Sequence, residues 1–270
     1  MQQNGFCQKI YWRPNNIEDM EFLEATLRDY SFALHVHDAF TVTLVVKGAL
    51  NLYFQTGEFV LRPGMLFLIG SQVPQGIKKM GRGEYCLYRT LLFGEEFVKK
   101  HFPGFGEEHR RAITLISSPK FYKKFNDAFS EKHFPLNIDL ESCTNLLEQI
   151  FSRMDNGITL EKLSLSKDIN TITNFIDQNI LYSLDVHKLS QIFCFSYSHF
   201  IRKFKSEMGI TPNTYLIQKK IIKARKRLAE GESMLSIAHA LGFCDQSHFS
   251  NSFKKMLGVS PTHYVNKDKT

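Results

Sequence analysis

From Ser31 the chain alternates apolar and polar residues with the period of a half-buried strand, in FALHVH, FTVTLVVKG, LNLYFQTGEFVL, RPGMLFLIG and EYCLYRTLLF. Turn signals at Lys47-Gly48, Thr56-Gly57 and Arg62-Pro63-Gly64 separate these runs. Short strands at regular spacing with no helix between them predict a small antiparallel barrel or sandwich. Residues 1–30 are polar and irregular, with Tyr11-Trp12 followed by Arg13, and read as a mobile arm or an edge strand. After Gly94 the pattern turns helical: EEFVKKHF is a short helix, and FYKKFNDAFSEKHF and LNIDLESCTNLLEQIFSRM are longer ones divided by Pro135. The last places Leu140, Cys143, Leu147, Ile150 and Phe151 on one side. A helix over residues 138–154 either packs on its own β domain or pairs with the same helix of a second copy, giving a homodimer.

Asp155-Asn156-Gly157 and the polar stretch to Lys167 read as a boundary between a domain over 1–160 and a second over 166–268. The second is helical throughout, with helices expected at about Asp168 to Ile180, Asp185 to Phe193, Pro212 to Ala229 and Ser233 to Leu241. It also contains a repeat. SHFIRKFKSEMGITPNTYL (Ser198 to Leu216) returns as SHFSNSFKKMLGVSPTHYV (Ser247 to Val265), offset by 49 residues, with eight identical positions. Two copies are too few for a solenoid, so a pair of linked modules is expected. Phe200, Phe204 and Met208, and Phe249, Phe253 and Leu257, form one buried stripe per helix. The opposite face carries Ser198, Ile201, Arg202 and Lys205 in the first copy and Gln246, Ser247, Ser250, Asn251 and Lys254 in the second, a small, polar, partly cationic surface that fits a DNA groove. Gly209 and Gly258 stop each helix, and Thr211-Pro212 and Ser260-Pro261 start the next.

Charge sharpens this reading. Residues 166–270 hold 15 Lys and Arg against 8 Asp and Glu, a net of +7, whereas the first 165 hold 19 against 19. The whole excess therefore sits with the repeat, the footprint of a phosphate-backbone binder. Within it, Lys219 and Arg225 read as cations that only solvate the linker helix. The cysteines, Cys7, Cys86, Cys143, Cys194 and Cys244, are odd in number, scattered and without a C-x-x-C pair, which argues against a disulfide framework and a zinc site. No membrane span or signal-peptide core is apparent, and a cytoplasmic location is expected.

Helix, tight turn, helix, written twice, is the order of two helix-turn-helix units. At Ala238, Gly242-Phe243, Asp245, Ser247-His248-Phe249, Asn251, Phe253-Lys254-Lys255, Gly258, Ser260-Pro261 and Tyr264 the chain resembles the AraC/XylS family of bacterial transcription regulators. It departs at Val265, where the family often has arginine, and at Leu189-Ser190, where Leu-Ala is usual. His35-Val36-His37, Gly48 and Pro63-Gly64 resemble the cupin arrangement, in which an H-x-H pair on one strand supplies two metal ligands; alternation would place both histidines on one face. No Glu follows at the usual short distance, MLFLIG lacks histidine, and Gln75 stands where a further ligand would be sought. No metal, no cofactor and no enzymatic activity are therefore expected.

The resemblance implies an α+β protein: an N-terminal antiparallel β-barrel of cupin-like or jelly-roll type with flanking helices, and a C-terminal all-α domain of two helix-turn-helix units joined by a long helix. It implies a sequence-specific DNA-binding regulator controlled by a small-molecule effector in the β domain, with RNA polymerase as partner. Two alternatives stand beside it, a metal-dependent cupin enzyme fused to a DNA-binding module and a constitutive DNA-binding dimer without effector. The long helix of about 18 residues spans roughly 27 Å, so two recognition helices about 34 Å apart, one turn of B-DNA, are within reach.

Overall fold

The computed structural model describes the chain apart from residues 1–5, 15–16, 29–30, 79–84, 106, 129–139, 153–157, 163–164, 181–183 and 267–270. The expected boundary at Asp155 to Gly157 falls outside the described residues. Two units are resolved, one of residues 1–33 and 37–163, the other of 34–36 and 164–270.

Among the described residues eleven strands form two open antiparallel sheets rather than a closed barrel. Strands β1 (Phe6–Trp12), β2 (Met20–Arg28), β9 (Tyr85–Gly94), β4 (Ala39–Lys47), β7 (Met65–Ile69), β10 (Ala112–Ser117) and β11 (Ile158–Lys162) lie side by side in that order. A smaller sheet runs β3 (Phe32–His35), β8 (Gln75–Lys78), β5 (Leu50–Tyr53) and β6 (Glu58–Leu61). Of the two readings of the N-terminal stretch, an arm or an edge strand, the second applies: Phe6–Trp12 is the edge strand of the larger sheet and pairs with Met20–Arg28. Their alternation is disguised by carboxylates at buried positions: Glu21 accepts from Arg13 at 2.9 Å, and Glu24, opposite Arg89 across β2 and β9, accepts from it at 2.8 Å. Charges at such positions persist only when paired, and the partner of Glu24 lies 65 residues further along the chain. The helical reading after Gly94 missed β10, and β11 lies in the polar stretch read as the boundary; each is no longer than six residues. Strand β3 ends at His35, so His37 lies beyond it and the two histidines do not share a strand face.

One face of the larger sheet is covered by helices α1 (Glu95–His101), α2 (Pro119–Ala128) and α3 (Leu140–Phe151). Phe22, Phe40, Val42, Leu44, Leu91 and Phe93 of the strands meet Phe97, Phe125, Leu146, Leu147, Ile150 and Phe151 of the helices in one core. The apolar side of α3 packs on its own sheet: Cys143, Leu147, Ile150 and Phe151 are buried, whereas Leu140 at the start of the helix is 36% exposed beside the outward polar residues Glu141, Ser142, Asn145 and Glu148.

The second unit contains α4 (Lys167–Asn179), α5 (Val186–Ile192), α6 (Tyr197–Met208), α7 (Pro212–Ala229), α8 (Met234–Ala240), α9 (Gln246–Leu257) and α10 (Pro261–Asn266). Each repeat is held by the same aromatic column. Phe195, Phe200, Phe204 and Tyr215 follow one another at 6.2, 6.0 and 5.5 Å between ring centroids in the first copy. Phe243, Phe249, Phe253 and Tyr264 follow at 5.4, 5.7 and 5.5 Å in the second. Gly209 and Gly258 cap α6 and α9 at φ 71° and 80°, a left-handed conformation that glycine adopts without a Cβ clash. Thr211 and Ser260 accept from the Thr214 and His263 N–H groups, both at 3.2 Å, and start α7 and α10.

Lys219 and Arg225 do not simply solvate α7. Lys219 is buried and pairs with Asp177 of α4 at 2.9 Å, and Arg225 donates to the Tyr264 hydroxyl at 3.2 Å. Removing Asp177 leaves a buried ammonium without this carboxylate. Asp177→Ala is therefore expected to lower stability by about 1–3 kcal/mol, read as a shift of the urea midpoint; an unchanged midpoint would show that the pair contributes nothing.

Candidate nucleic-acid interface

Each helix pair of the second unit is joined by the same turn. At the end of α5 the Phe195 N–H donates to the Ser190 carbonyl at 2.8 Å and the Cys194 N–H to that of Gln191 at 3.0 Å. At the end of α8 the Phe243 and Gly242 N–H groups donate to Ala238 and His239 at 2.9 and 3.1 Å. This double closure needs one left-handed residue, and the position is Cys194 (φ 56°) in the first copy and Gly242 (φ 66°) in the second. The turn fixes the exit direction of the chain, so α6 and α9 leave α5 and α8 alike. One difference follows: Cys244 is an extra residue before the N-cap Asp245, which accepts from the His248 N–H at 2.7 Å. This is why the turns correspond at an offset of 48 and the following helices at 49.

Because the phenylalanine stripe fixes which side of α6 and α9 is buried, the opposite side is set by helical geometry. Ser198, Arg202 and Lys205 are exposed and Ile201 is half-buried on α6; Gln246, Ser247, Asn251 and Lys254 are exposed and Ser250 is half-buried on α9. Lys203, also on α6, is turned to Asp168 and Glu207 at 3.5 and 3.4 Å. Glu207 in turn accepts from the Ser166 N–H and hydroxyl at 2.7 and 2.9 Å, tying the start of α4 to the end of α6. Lys220 brings its ammonium toward the second turn, 5.8 Å above the Phe243 ring, and burial pushes it below the usual lysine range. Tyr197, 49% exposed, was missed by sequence reasoning. The signal was available, since it stands 49 residues before Gln246, which was singled out.

In the first unit the other face of the larger sheet turns toward the smaller one. Register puts Lys9, Ala25, Tyr88 and Val45 in one row across β1, β2, β9 and β4, and Tyr11, Leu23, Thr90 and Thr43 in the next. The Lys9 ammonium lies 3.9 Å from the centre of the Phe32 ring on β3, so this row points between the sheets. Thr43 and Thr90 share a hydrogen bond of 2.9 Å, while the buried Thr41 hydroxyl has no hydrogen-bond partner among the described residues. Burial pushes the Tyr88 phenol well above the usual tyrosine range and the Cys86 thiol up to about 12. Phe54, Phe59 and Phe67 follow one another at 5.9 and 6.0 Å at the β7 side. The interior thus has a polar half and an aromatic half. Among the described residues no group of three or more His, Cys, Asp and Glu is placed to hold a metal, and no helix is long and apolar enough to cross a membrane.

Comparison with known proteins places both units. Residues 19–163 match the profile of the AraC-like ligand binding domain, and residues 189–267 that of a helix-turn-helix domain. Over 226 residues the chain is 25% identical to the "Uncharacterized HTH-type transcriptional regulator YbfI" of Bacillus subtilis, covering 80% of each. Over 228 residues it is 26% identical to the "Probable transcriptional regulator LumQ" of Photobacterium leiognathi, covering 81% of this chain and 86% of that one. The crystal structure of an apo ToxT variant from Vibrio cholerae superposes with a TM-score of 0.63 at 15% identity, covering 94% of this chain and 99% of that chain. ToxT with an unsaturated fatty acid bound gives 0.57 at 13% identity, covering 98% and 96%. At these identities the likeness is one of fold.

Proposed function

Since the chain belongs to the AraC family of transcriptional regulators, whose ligand-binding profile spans 145 of its 270 residues, we propose that α6 and α9 each enter one major-groove segment while an effector binds between the two sheets of the first unit. The chain is a DNA-binding regulator with an N-terminal ligand-binding domain. The observation that carries the finer reading is the doubled turn. Two closures of the same hydrogen-bond pattern present α6 and α9 with equivalent residues outward and the same aromatic column inward. In this reading Arg202 bonds guanine O6 and N7, and Asn251, its counterpart, bonds adenine. Lys205 and Lys254 meet phosphate, and Ser198, Ile201, Gln246, Ser247 and Ser250 line the same contact. The domain division assigns DNA binding to 166–268 and sensing to 1–160. RNA polymerase and a second copy of the chain are the proposed protein partners; a dimer through 138–154 would have to use the polar outward face of α3.

The effector is read from the interior of the sandwich: an apolar body against Phe59 and Phe67, with a polar head toward Lys9, Tyr11 and Tyr88. Pockets that combine apolar walls with a few convergent polar groups are typical of small-molecule sites. An unsaturated fatty acid, the class bound by ToxT in one of its structures, is a suitable first probe. A ligand present at about 100 times its dissociation constant stabilises the folded state by about 2.7 kcal/mol. A rise of several degrees in the melting midpoint, lost in Lys9→Met, is expected. No shift with the fatty acid, or the same shift in Lys9→Met, would contradict this placement of the head group.

A further inference from the structure

We propose that Tyr197 and Ile201 read the methyl group of a thymine in the half-site entered by α6, so that the two copies of the repeat recognise DNA by different chemistry. The inference rests on the proposed placement of α6 in the major groove. Tyr197 is a large apolar residue left 49% exposed at the first position of α6, with its ring 6.1 Å from that of His187 on α5. Ile201 follows four residues later and is half-buried, and residues at this spacing are neighbours on a helix surface. Their counterparts 49 residues on are Gln246 and Ser250, both polar. The apolar pair therefore belongs to the first copy alone and is not required by the shared architecture. It is continuous with Arg202, one residue past Ile201, and the N-terminal part of a recognition helix is the part that reaches base edges. The apolar feature that base edges present in the major groove is the C5-methyl of thymine. The α6 half-site accordingly contains a thymine near the guanine read by Arg202, whereas Gln246, Ser250 and Asn251 of α9 read their half-site by hydrogen bonds.

Replacing thymine by deoxyuridine removes only that methyl group. Duplexes selected from a random pool by the full chain supply the operator, and Arg202→Ala identifies the half-site that α6 contacts. At one thymine of that half-site, deoxyuridine is expected to weaken binding about 4-fold, the equivalent of one buried methylene. Tyr197→Ser should bind both duplexes at the weaker level with an unchanged melting midpoint, and Tyr197→Phe should keep the discrimination, because the phenol oxygen takes no part. Thymines of the other half-site should be insensitive. A half-site in which no thymine is sensitive overturns the inference, as does a Tyr197→Ser variant that still separates thymine from uracil. If Tyr197 instead docks on a protein, Tyr197→Ser leaves the affinity for DNA unchanged, which also overturns it. Failure to select any duplex would instead sink the groove placement of α6.

Discussion

Raising monovalent salt from 50 to 200 mM is expected to weaken binding of the full chain to its operator by about 10³-fold, with a log-log slope near −5. Each phosphate neutralised releases condensed counterions and contributes about 0.9 to the slope. Beside Arg202, which reads a base, the exposed cations of α6, α7 and α9 are Lys205, Lys223, Lys226, Lys254 and Lys255, five in number. Lys203, Lys219 and Arg227 carry the same formal charge but are paired within the unit, with Glu207, Asp177 and Glu232. They should leave the slope unchanged when substituted, provided the fold survives. Lys254→Ala should flatten the slope by about one unit and weaken all sequences alike. Arg202→Ala should relax preference at one base position, at a cost of about 1–3 kcal/mol in discrimination. An affinity independent of salt would contradict the electrostatic part of the account.

Phe253→Ala is expected to destabilise the second unit by about 3–5 kcal/mol, the usual cost of emptying a fully buried aromatic site. Phe253 has no exposed surface and stands 5.7 Å from Phe249 and 5.5 Å from Tyr264, in the column that joins α9 to α10. A loss of this size is a large part of the stability of a typical domain, so helicity and binding to the α9 half-site should fail together. Asn251→Ala, on the opposite face, should stay within about 0.5 kcal/mol of the parent while altering base preference. Far-ultraviolet circular dichroism during urea unfolding separates the two. A Phe253→Ala cost below about 1 kcal/mol would contradict the packing described for the column.

The sequence carried the helical unit well because every cue there is local. The Phe200, Phe204 and Met208 spacing, Gly209 as a stop and Thr211-Pro212 as a start lie within one or two turns of each other, and all are found in those roles. The β unit was less legible because its determinants are distant. Glu24 looks out of place until Arg89 is beside it, and β10 acquires its strand character from β7 and β11. Two sheets instead of a barrel likewise follow from long-range pairing. In the candidate interface the nine named residues lie on the solvent side, but Tyr197 escaped notice because an aromatic residue beside a phenylalanine stripe reads as core. Lys219 was misread in the opposite sense, as solvated, because its partner Asp177 lies 42 residues earlier.

The central claim, that one chain reads two groove segments with two unlike helices, is tested most directly by a base-substitution scan across an operator selected by the full-length protein. The account predicts two blocks of base preference about 10–10.5 base pairs apart, centre to centre, one relaxed by Arg202→Ala and the other by Asn251→Ala. A single block, or one block altered by both substitutions, would contradict it.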